Sequence, residues 1–143
     1  MSARRWGCLA LILVPIVAVF LLVKIPQWIN NARLEGLRER VTDYPLPAQT
    51  EVAEYDDGDT AFGLLGGNSD HCDYRVRLTL QTTLADEEIH RYYDAARVPG
   101  VDGGGAALLQ VWFADRAAGE RGPRLFILEA FDSTSPGMDL RCH

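Results

Sequence analysis

An uncharged run of eighteen residues, Trp6 to Val23, lies between Arg4-Arg5 and Lys24. At about 1.5 Å per residue, a helix of this run is roughly 27 Å long, close to the thickness of a bilayer's hydrocarbon core. A lone segment in lipid satisfies its own backbone polar groups only as a helix. The run therefore predicts a transmembrane helix over 6–23 behind a short tail at 1–5, with the lipid bilayer as the first expected partner. Trp6 and Trp28 stand 22 positions apart, about 33 Å along a helix, which sets an indole near each interface beside Arg4, Arg5 and Lys24. Pro15 falls mid-span, where a kink is expected.

A cleaved signal peptide, leaving a secreted soluble domain, is the competing reading. The apolar stretch is longer than the roughly 7–15 residues of a signal core, and no A-x-A-like site follows it. The nearest candidate, Asn30-Asn31-Ala32, has a large polar residue at the −3 position. Cys8 precedes most of the apolar run and so does not fit lipoprotein processing. The expectation is an uncleaved, single-pass signal-anchor.

For orientation, Arg4 and Arg5 favour a cytoplasmic N-terminus, whereas a count of Lys24, Arg33, Arg38 and Arg40 favours the reverse. Three of those four lie nine or more residues beyond the span, and long C-terminal domains translocate largely regardless of charge. The expected arrangement, in the cell membrane, puts the N-terminus on the cytoplasmic side and the C-terminal domain on the extracytoplasmic side.

Beyond the span the chain keeps 12 basic residues (14 − 2) and all 20 acidic ones, a net charge of −8 (12 − 20). Such a domain repels phosphate backbones, so nucleic acid is not an expected partner. The segment 48–143 is long enough for one domain with one modest core. Cys72 and Cys142 are the only cysteines outside the apolar run. Paired, they close a loop of about seventy residues and stabilise the fold by roughly 4 kcal/mol in the chain-entropy model. Pairing requires an oxidising compartment and so depends on orientation; two free thiols are the alternative.

Residues 24–47 read as a juxtamembrane helix and proline linker. Pro26 suits a first helical turn, and Leu34, Leu37 and Val41 recur at i, i+3, i+7 over Gln27 to Val41. The ordinary reading of so short a seam is a solvated stalk, with packing on the domain, a partner helix or a second copy left open. Pro45-Leu46-Pro47 ends it.

Strand patterns follow at Gln49 to Tyr55 and Ala61 to Leu65, each closed by turn residues. The strongest runs from Cys72 to Thr82, with Cys72, Tyr74, Val76, Leu78 and Leu80 on one face and Asp73, Arg75, Arg77, Thr79 and Gln81 on the other. A helix follows, with Thr83 as expected N-cap, Ala85, Ile89, Tyr92 and Ala96 as its inward stripe, and Pro99-Gly100 as its stop. Ala107 to Ala114 and Arg124 to Phe131 read as a hairpin. The predicted fold is an α+β domain, a mainly antiparallel sheet of about four or five strands with one packed helix.

Chemistry is sparse. There is no G-x-S-x-G, H-E-x-x-H, P-loop or C-x-x-C pattern, so no catalytic residue and no cofactor is expected. His90 reads as a solvated helix residue. A Cys72–Cys142 bridge draws Asp70-His71-Cys72-Asp73 towards Arg141-Cys142-His143; His71 and His143 with Asp70 or Asp73 then form a candidate metal set. Strand alternation opposes it by putting His71 and Cys72 on opposite faces. Asp56, Asp57, Asp59, Asn68 and Asp70 lack EF-hand spacing and read as turn residues. Gly100, Gly103, Gly104 and Gly105 follow a helix instead of preceding one, so they read as a hinge or an adaptable loop, not a phosphate cradle.

Trp112 shares a strand face with Leu108 and Gln110, opposite Leu109, Val111 and Phe113. With the latter three inward, Trp112 reaches the wet side along with Arg75 and Arg77, residue types that dominate binding energy; cover by the stalk or N-terminal strands is the alternative. The functional expectation is a non-catalytic membrane protein whose acidic domain binds a protein partner or supports an envelope complex. A metal-binding or metal-dependent envelope protein using His71 and His143 is the alternative.

Overall fold

The computed structural model describes residues 3–54, 58–63, 65, 71–115 and 122–143, with backbone alone for 3–10. Asp56, Asp57, Asn68 and Asp70, and the side chains of Arg4, Arg5 and Trp6, lie outside the described residues. In chain order the elements are α1 (Ala3–Thr42), β1 (Thr50–Val52), β2 (Asp59–Gly63), β3 (Cys72–Thr82), α2 (Asp86–Ala95), β4 (Leu108–Phe113), β5 (Arg124–Thr134) and a 3-10 turn (Leu140–Cys142).

β3 is the axis of the sheet. It pairs antiparallel with β5 along its whole length, from Cys72 opposite Thr134 to Thr82 opposite Arg124. Its other edge carries β2 beside Asp73–Arg77 and β1 beside Leu80–Thr82. β4 pairs antiparallel with the far side of β5. β3 and β4 therefore run parallel with β5 between them, and α2 is the crossover that joins them. This is the α+β architecture predicted by the alternation of apolar and polar residues.

Alternation also decides which side is dry. Cys72, Tyr74, Val76, Leu78 and Leu80 are buried on one face of β3, and Phe126, Leu128 and Ala130 of β5 continue that face. Ile89 and Tyr93 cover it from α2, joined by Ala96 just past the helix end. Thr83 does not cap this helix; its hydroxyl donates to Gln49 Oε1 at 2.6 Å, which fastens the end of β3 to the residue before β1. Ala85 occupies the cap position, and Glu88 accepts its backbone N–H at 3.2 Å. Tyr93, not Tyr92, is the buried aromatic, with its ring 6.3 Å from Phe126. Tyr92 lies half-buried, and its hydroxyl donates to the Pro45 carbonyl at 2.7 Å.

The second cover of the dry face is α1. This helix passes through Pro15 and Pro26 without ending, so Pro26 does not open a separate helix. Leu37 and Val41 are buried in the same core as Tyr74 and Ile89, with Leu34 packed against them. Fully burying one such side chain contributes roughly 1.5–3 kcal/mol. The seam is thus a layer of the core and not a solvated stalk. Its apolar first half contrasts with this: from Leu11 it is exposed, and it is the one described helix long and apolar enough to cross a membrane.

Candidate functional site

Where α1 leaves its apolar half, its polar residues meet the end of the chain. Asn30 is buried, donates from Nδ2 to Asp139 Oδ2 at 2.9 Å, and accepts at Oδ1 from the Tyr74 hydroxyl at 2.9 Å. Asp139 is fully buried between one amide donor, Asn30, and one cationic donor, Arg141. Arg141 approaches its carboxylate through Nε at 3.0 Å and Nη2 at 2.7 Å, and also donates its backbone N–H at 3.1 Å. The same guanidinium reaches Asn31 Oδ1 at 2.9 Å and the Gln27 carbonyl at 3.2 Å, and lies over the Phe62 ring at 4.3 Å. The Arg141 hydrogen bonds hold the Asp139 carboxyl down to about 2, against the opposing effect of burial and with help from Asn30.

A disulfide between Cys72 and Cys142 closes this joint, with Cα atoms 4.9 Å apart. It links the first residue of β3 to the 3-10 turn, so helix, sheet and chain end meet at one place. The partners are far apart in sequence, and no local period announces them. The one available signal was the pair of cysteines itself, Cys72 and Cys142 being the only ones outside the apolar run.

The candidate metal residues separate into different surroundings. His71 and Asp73 line a shallow groove of about 350 Å³ on the outer face with Arg75, Glu129 and Phe131. Asp73 is buried, and its Oδ2 accepts the Leu65 N–H at 3.1 Å. His143 is not in that groove; its Nε2 lies 3.4 Å from the Gly137 carbonyl. Asp70 is outside the described residues. Among the described residues, no three of His, Cys, Asp and Glu converge in a manner fit to hold a metal ion.

His90 is exposed with its ring 5.5 Å from Phe113. The glycine loop is anchored to α1. Arg40 donates to the Pro99 and Gly100 carbonyls at 2.9 and 3.1 Å, and Arg33 pairs with Asp102 at 3.0 Å. Gly100 itself leaves no room for a Cβ because the Asp132 carboxylate sits against it, accepting the Val101 N–H at 2.7 Å.

The outer face of the sheet is uncovered where β4 meets β5. Trp112 is 56 % exposed and Leu108 55 %, and Leu125 and Ile127 are exposed beside them. Trp112 lies opposite Ile127, while Gln110 lies opposite Glu129. Arg77 is reached across β5, paired to Glu129 at 2.6 Å, and Arg75 lies 3.7 Å from Asp59. Trp112 and the two arginines therefore share a face but stand two strands apart.

The arrangement defines an α+β domain locked onto a long helix with one apolar half. No family model, no curated protein and no solved structure matches the chain.

Proposed function

We propose that this chain is a single-pass membrane protein, anchored by the apolar half of α1, whose extracytoplasmic domain binds a protein partner without catalysing a reaction. The observation that carries the reading is the bare strip along β4. Among the described strands β4 has one neighbour, and its sequence, Leu-Leu-Gln-Val-Trp-Phe, contains neither charge nor proline. Such an edge offers unpaired backbone groups to an extended segment of another chain, and Trp112 supplies an aromatic anchor on the face beside it. The Cys72–Cys142 bond supports the extracytoplasmic placement, because disulfides persist in oxidising compartments.

The test is crosslinking of the full chain in its native membrane, followed by purification in mild detergent. A partner recovered with the wild type and lost with Trp112→Ala supports the reading; an identical set of crosslinked products from both overturns it. Reporter fusions at each terminus check sidedness, with the C-terminal fusion active only outside.

A further inference from the structure

The turn before Cys142 carries two apolar side chains that stand exposed among the described residues. Met138 is 63 % exposed and Leu140 67 %, more than any other large apolar residue described outside α1. Asp139 between them is fully buried, so the segment points apolar groups outward on either side of an inward anchor. That anchor fixes where they stand. Asp139 is bonded to Asn30, Arg141 to the Gln27 carbonyl, and Ser135 to Met138 lie alongside Pro26, Ile29 and Asn30.

Gln27 is four residues past Val23, about 6 Å along the helix. The headgroup region on each side of a bilayer is about 5–8 Å deep. Trp28, exposed on α1 at this level, is the residue type that marks an interface, and exposed Ile25 and Ile29 continue the apolar surface upward from the span. The turn offers no free acidic group to anionic lipid, because the Asp139 charge is matched by Arg141. The joint and the disulfide hold the turn at this height.

We propose that the Ser135–Leu140 turn is a second membrane contact, with the Met138 and Leu140 side chains entering the headgroup region of the bilayer that holds α1. This rests on the reading of α1 as a membrane span. The full chain, reconstituted in phosphatidylcholine nanodiscs containing a diazirine-bearing phospholipid, is photolysed and its lipid adducts are mapped by mass spectrometry. The expected result is adducts on the apolar half of α1 and on Met138 and Leu140, with the turn adducts lost and the α1 adducts kept in M138S/L140S. Adducts on α1 with none in the turn overturn the second contact and leave the anchor standing. Failure to label α1 overturns the anchor itself.

Discussion

Asp139 shows how one carboxylate can hold two distant parts of a chain. Its folded pKa of about 2 lies below the ordinary 3.8, so the folded state binds this proton less readily than the unfolded state. The stabilisation is complete above the unfolded value, declines as pH falls below about 4, and is gone once pH passes the folded value. The shift corresponds to roughly 2 kcal/mol. D139N is expected to lower the stability of the detergent-solubilised chain by about that amount at neutral pH and to flatten the loss between pH 4 and 2. Denaturant midpoints at several pH values check both effects. Of this joint, the Cys72–Cys142 bond was legible beforehand and the polar contacts were not. Asn30 and Asp139 are separated by 109 positions, and a polar pair at that distance leaves no periodic trace.

Among the elements, β3 was the most legible because one rule governs ten of its eleven residues, every second side chain being dry, with buried Asp73 the exception. β1 and β2 were less so, since short edge strands with partly exposed residues lack that contrast; they cover Thr50–Val52 and Asp59–Gly63 instead of the longer or shifted runs expected. The N-cap of α2 was displaced because the Thr83 hydroxyl found a tertiary partner in Gln49. For α1 the period was visible but its weight was not: Leu34, Leu37 and Val41 are few, and only the sheet beneath them makes them core. Among candidate site residues, the exposure of Trp112 followed from strand parity, but its distance from Arg75 and Arg77 depended on β5 lying between. L37A is expected to cost roughly 3 kcal/mol by leaving a cavity under β3, whereas E35A, which loses only an exposed pair with Arg38, should stay within about 0.5 kcal/mol. Chemical denaturation of the two variants side by side distinguishes a core layer from a stalk.

At the scale of the whole molecule, the disulfide closes a loop with a sequence separation of 70 that contains β3, α2, β4 and β5. Reduction should therefore loosen nearly the whole sheet by about 4 kcal/mol, read as a lower thermal midpoint in the presence of a phosphine reductant. An unchanged midpoint would show that the polar joint alone holds the chain end. α1 runs uninterrupted from its apolar half to the sheet it covers. If the apolar half of α1 spans a bilayer as proposed, the tilt that a membrane of given thickness imposes on it carries into the attitude of β4 above, and a thinner or thicker membrane would turn that strand to face a different direction.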